Sequence, residues 1–401
     1  MTRSRFLFFL VSTAIVLPIL AGSLLGAAVD DEPGDDSLYK YLSVFTDSLG
    51  LVHQAYVEET DVDKLMSAAL DGVTDGLDPM AVYVPADAVA GYLNARTIGA
   101  ERSGLVLMRE RGMVYVLTVL AGSPAEEAGL QKGDLVAEIQ GKETRVVPMW
   151  KIEEILAGDP GTEVHLHLVR YAETRDATLT LGSYAAPQPT IAETDGVSVL
   201  TVPTIDDATA GRVAKLLDGI ADRKELVIDL RGVAGDDPAA AYALAGLFTD
   251  GDLGRLSERE TVLETYHGDE APRWQGRILL LTDRSTFGAA ELFASVLRQK
   301  VKAELVGGRT FGFAGRESMV QLSTGAVVFL SDAFYSGPDF DPLNEPLEPD
   351  ERVTDRLRTF SEIESEQEEG AEEAPDLVLD RAIEILHQPA EKPSEDQKVA
   401  A

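Results

Sequence analysis

A hydroxyl beside an amine that burial keeps neutral is a minimal apparatus for attacking an acyl carbon, and residues 285–302 of this 401-residue chain hold both kinds of group. Ser285 and Thr286 stand just before a helical run at 289–299, with Lys300 and Lys302 just after it. As chemistry, Ser285 or Thr286 would attack and Lys302 would take the proton. As structure, the hydroxyls are turn or cap residues and the lysines are solvated charges at a helix end, which is the simpler reading. Metal chemistry has less support: His165 and His167 alternate along a strand with no third ligand near them in sequence, so no metal site and no cofactor is expected. Cysteine is absent, which excludes disulfides, a thiolate nucleophile and a lipidated cysteine anchor.

The formal net charge is -34, so nucleic acid and anionic membrane surfaces would be repelled, and peptides or proteins are the better partners. At 45% apolar residues the chain is long enough for two or three packed domains. Arg3 and Arg5 precede an apolar run from Phe6 to Ala28, and Asp30 and Asp31 follow it. Residues 1–30 therefore read as an uncleaved signal anchor that attaches the chain to a membrane, with a cleaved signal peptide as the alternative. The positive flank stays inside, which places the remainder in the periplasm or at the cell exterior.

Several elements must position these groups. Residues 37–97 begin with two helices, at 37–59 and 61–76, the first marked by Leu38, Tyr41, Leu42, Phe45, Leu49 and Val52 at helical spacing. Residues 100–184 form a mostly β unit with strands at 104–108, 114–119, 135–139 and 164–169 and a late helix at 148–156. A linker at 185–189 leads to an α/β domain over 190–386. Its strands at 197–202, 226–230, 278–282 and 304–307 are near-continuous apolar runs, as strands buried on both faces require. Helices are expected at 208–221, 238–247, 289–299 and 376–386. An acidic insertion at 361–374, with seven glutamates, and a tail at 387–401 read as disordered.

The β unit resembles a PDZ domain of the processing proteases. Ser123, Pro124, Ala125, Ala128, Gly129, Leu130, Gly133, Asp134 and Leu135 reproduce its S-P-A-x-x-A-G-L-x-x-G-D motif, and Pro160, Gly161, Thr162 and Val164 its P-G-T-x-V. The resemblance implies that an extended peptide adds a strand at a sheet edge while backbone N–H groups catch its terminal carboxylate. Ser103, Gly104, Leu105 and Val106 occupy the carboxylate loop. Arg102 adds attraction for the carboxylate or is a solvated surface charge, and Met149 and Trp150 line the groove or serve the core.

The α/β domain resembles the catalytic domain of the carboxyl-terminal processing, or tail-specific, serine peptidases. Leu77-Asp78-Pro79 matches its L-D-P, Asp229-Leu230-Arg231 its D-L-R, Thr310-Phe311-Gly312 its T-F-G, and Leu347-Glu348-Pro349-Asp350 is similar to its G-I-x-P-D. The resemblance implies a ClpP/crotonase-like α/β core with an inserted PDZ domain and an N-terminal helical segment. It also implies a serine three residues before Glu291 and a lysine after Gly312. Gly288 and Phe313 stand there instead, and neither can attack or accept a proton. Glu317 stands where a glutamine usually follows, and Asp236 follows Gly235 where the oxyanion pocket has a glycine pair. The expectation is a non-catalytic protein that captures polypeptide C-termini, unfolded segments or a partner. The alternatives are a peptidase with a relocated nucleophile and a structural subunit that pairs with an active homologue.

Overall fold

In the computed structural model, residues 35–233, 237–268, 271–354, 358–363 and 375–388 are described. The anchor at 1–30, Asp236, most of the acidic insertion and most of the tail at 387–401 lie outside the described residues. Among those described, no helix is long and apolar enough to cross a membrane.

The chain divides into two units, the first ending at Ala69. Its main element is α1 (Asp35–Ala55), followed by α2 (Val62–Asp75) at the junction. The Asp61 carboxylate accepts from the backbone N–H groups of Asp63 and Lys64, the expected cap. Most of the stripe on α1 faces water: Tyr41, Leu42, Phe45 and Val52 are exposed.

The second unit begins at Leu70. After β1 (Val82–Val84) and α3 (Val89–Ile98) comes the strand-rich module: β2 (Leu105–Glu110), β3 (Met113–Val119), short α4 (Pro124–Glu127), β4 (Leu135–Ile139), β5 (Lys142–Glu143), α5 (Met149–Leu156), β6 (Glu163–Arg170) and β7 (Glu173–Thr180). Its antiparallel order is β2-β3-β4-β6-β7, with β5 on β4, so β2 is an edge strand. The core of this module, Val114, Val136, Ile152, Leu166 and Leu179 among others, comes from alternate strand positions and one stripe of α5.

The following elements are β8 (Thr190–Thr194), β9 (Val197–Thr201), α6 (Thr209–Asp218), β10 (Glu225–Asp229), α7 (Pro238–Ala245), β11 (Gly251–Glu258), β12 (Thr261–Gly268), β13 (Arg277–Thr282), α8 (Ala289–Lys300) and β14 (Glu304–Gly307). Then come β15 (Gly315–Gln321), β16 (Val327–Ser336), β17 (Glu351–Arg352) and α9 (Leu377–His387). One sheet runs β17-β14-β13-β10-β9-β8, parallel except for β8. It is buried on both faces: Leu226, Ile228 and Leu280 pack under α6, α7 and α8, while Val227, Leu279 and Leu281 pack against Val378, Ile383 and Leu386 of α9. A second, antiparallel sheet orders β1-β16-β11-β12 with β15 also on β16, and brings Val82 opposite Phe329. The architecture is mixed α/β with a β-rich module and an N-terminal helical segment.

Candidate functional site

Strand β13 ends at Thr282, and the chain turns through Asp283 to Gly288 before α8 begins. Hydroxyls build this turn. The Thr286 Oγ1 donates to the Leu230 carbonyl at 2.9 Å and accepts from the Asp283 N–H at 3.2 Å. The Ser285 Oγ donates to Asp283 Oδ1 and accepts from the Gly232 N–H at 2.7 Å. Both residues are buried, and each has a hydrogen-bonding task that holds the turn to the end of β10. Lys302 is exposed and donates to the Gln299 carbonyl at 3.0 Å, at the far end of α8 from Ser285. Twelve helical residues span about 18 Å, so the sequence does not bring this amine to those hydroxyls.

Gly288 closes the turn with φ 54° and ψ -113°, a conformation that favours glycine. Its N–H donates to Glu291 Oε2 at 3.2 Å. The same oxygen accepts from the Phe313 N–H at 3.0 Å, and Oε1 accepts from the Gly312 N–H at 2.6 Å. Glu291 is fully buried, and burial pushes its carboxyl up to about 7 against the opposing hydrogen bonds from Thr310, Phe313, Gly312 and Gly288. The carboxylate fastens the start of α8 to the segment after β14. Gly288 and Phe313, 25 positions apart in the sequence, are thereby brought together on one carboxylate.

Little room remains where they meet. The cavity lined by Gly288, Phe313, Phe287 and Tyr335 measures about 10 Å³, the scale of a single water. The Phe313 ring is buried and stands edge-on to Phe334, with ring centroids 5.6 Å apart. Arg231 is held between Asp229 and Asp376 at 2.7 and 2.6 Å.

The segment expected to receive a carboxylate, Ser103 to Val106, leads into the edge strand β2. Gly104 has φ 74°, and a Cβ there would lie 2.0 Å from the Ser123 Cβ, so close approach and conformation both demand glycine. The Gly104 N–H donates to the Ala100 carbonyl at 2.7 Å, and the Ser103 Oγ accepts from the Leu105 N–H at 3.2 Å. Arg102 donates to the Ser183 hydroxyl at 3.3 Å. A groove of about 260 Å³ runs beside Ser103, Leu105, Val106 and Leu107. Its helical wall is Met149, Glu153 and Leu156, spaced as one face of α5. Trp150 lies off that face and packs against the cluster of Val84, Tyr92, Val327 and Phe329, which corrects its expected place in the groove.

Two groove features escaped the sequence reading. Tyr92 and Arg96 of α3 enter the lining, and Arg96 pairs with Glu317 at 2.6 Å. Glu153 is the other: burial pushes its carboxyl up to about 7, opposed by Arg96 and by a hydrogen bond from Tyr92. The spacing of 149, 153 and 156 was the available signal for it. His165 and His167 contact Thr178 and Asp176, and no cluster of metal-ligating side chains occurs among the described residues.

This arrangement, a parallel-sheet core carrying a β-rich module, has counterparts. Residues 196–353 match the family model for Peptidase family S41, and residues 115–170 match a PDZ domain. The carboxy-terminal processing protease CtpA of Bacillus subtilis (strain 168) is 23% identical over 347 residues, covering 83% of this chain and 73% of that protein. A probable CtpA-like serine protease of Staphylococcus haemolyticus (strain JCSC1435) is 22% identical over 316 residues, 74% of this chain; the match spans 62% of that relative's length. The structure of a photosystem II D1 C-terminal processing protease superposes with a TM-score of 0.62 at 22% identity, covering 77% of this chain and 92% of that one. Over most of its length the chain is similar to carboxyl-terminal processing proteases, with residues 196–353 matching Peptidase family S41.

Proposed function

We propose that this protein is a non-catalytic member of its family, an envelope-anchored pseudopeptidase that binds polypeptide C-termini or a partner protein through its PDZ module. The observation that carries this reading is the pairing of Gly288 with Phe313 across Glu291 around a cavity of about 10 Å³. A nucleophile and a base would have to occupy these positions, and loss of either group in a serine protease costs on the order of a million-fold in turnover. The free edge of β2 and the adjoining groove support strand addition by a tail.

The competing reading is an active endopeptidase that uses Ser285, a residue lining a larger cavity. Its hydrogen-bond acceptor is Asp283. Burial raises that carboxyl, but Lys132 and the hydrogen bonds from Ser285 outweigh burial and hold it below the ordinary range, where it is a weak base. Titration with peptides ending in small apolar residues tests tail capture: affinity should fall when the terminal carboxylate is amidated, and indifference to amidation would remove the proposal.

A further inference from the structure

A cavity of about 580 Å³ opens where the carboxyl ends of β13, β14 and β17 and the residues following β10 face the PDZ module. Open parallel sheets characteristically bind ligands outside the carboxyl ends of their strands, and the volume falls in the usual range for a small molecule. Met108 is the one lining residue it shares with the tail groove.

Two properties of the lining define what fits. Met108, Tyr115 and Leu117 on the PDZ side, with Phe311, Val353 and Val378 on the core side, form apolar walls. Five cations, Lys132, Arg231, Arg284, Arg309 and Arg352, stand against two carboxylates, Glu110 and Asp283. The ion-pair partners Asp229, Asp376 and Glu348 bring the carboxylates around these cations to five, so the attraction offered to an anion is that of a cation left without an ion-pair partner among the described residues.

Most of these cations are engaged. Lys132 pairs with Asp283, Arg231 with Asp229 and Asp376, Arg284 with Glu110, and Arg352 with Glu348. Arg309 is exposed and makes no ion pair with any described residue, while Arg284 lies 5.5 Å from the centre of the Phe311 ring. A purely apolar ligand would gain nothing from the Arg309 charge, and a bare inorganic anion would leave the apolar walls uncovered.

We propose that this cavity binds an amphipathic oxyanion: an apolar body bearing one carboxylate or phosphate group that Arg309 receives. The test is calorimetric titration of the full chain with 4-phenylbutyrate, phenyl phosphate, neutral 4-phenylbutanol and inorganic phosphate. The first two separate a carboxylate source from a phosphate source. Saturable binding of at least one of them is expected, weakened about tenfold by Arg309→Ala and retained by Arg309→Lys, with no binding of the alcohol or of inorganic phosphate. Failure of both aromatic anions, equal affinity for the alcohol, or an Arg309→Ala protein that binds unchanged would overturn the proposal. Arg309 is solvent-exposed, so its substitution leaves the fold intact, which equal melting curves would verify.

Discussion

The backbone N–H groups of Gly288 and Phe313 donate to one oxygen, Glu291 Oε2, at 3.2 and 3.0 Å. A side chain buried in the first turn of α8 therefore sets the spacing of the two positions where the resemblance expects a nucleophile and a base.

Replacing that side chain tests its structural role. In Glu291→Gln, an amide NH2 must face backbone N–H donors that a carboxylate satisfied, leaving buried donors unpaired. The substitution should cost about 2 kcal/mol or more in urea unfolding at pH 8. Unchanged stability would deny Glu291 the fastening role.

Glu153 makes stability depend on pH. Its folded value near 7 lies above the ordinary 4.5, so folding takes up a proton between those values. Its contribution is fully present below about pH 4.5 and is lost as pH rises through about 7. Relative to Glu153→Gln, the natural protein should lose stability between pH 5 and pH 8, and parallel curves for the two proteins would contradict this.

Gly104 has no tolerated substitute. With φ 74° and Ser123 in the path of any Cβ, Gly104→Ala should destabilise by about 2 kcal/mol or more and weaken tail-peptide binding in the same titration that tests amidation.

The PDZ module also contains a fully buried ion pair. Arg170 donates to both Asp134 carboxylate oxygens, at 2.6 and 2.9 Å, with Phe360 stacked on the guanidinium at 4.1 Å. Arg170→Met would leave the Asp134 charge unpaired and should cost about 3–5 kcal/mol in chemical unfolding. A cost below about 1 kcal/mol would mean that the carboxylate finds another partner or a proton.

The parallel core was legible because its strands, such as Ile278 to Thr282, are continuous apolar runs buried on both faces. The second sheet was not: β12 is largely exposed and β15 is polar, and their order depends on pairings such as Val82 with Phe329 that no local pattern encodes. At the site, Gly288 and Phe313 were visible as substitutions within recognisable motifs, and Ser285 and Thr286 as turn hydroxyls. The Glu291 fastening and the entry of Arg96 into the groove were invisible, because each joins residues distant in sequence.

The central claim is that proteolytic chemistry is missing for want of two side chains. Fluorophosphonate labelling of the full chain, with cleavage of an unstructured protein measured in parallel, tests it most directly. The account predicts no labelling and no cleavage by the natural chain or by Ser285→Ala. Labelling and cleavage by the natural chain that disappear in Ser285→Ala would contradict it.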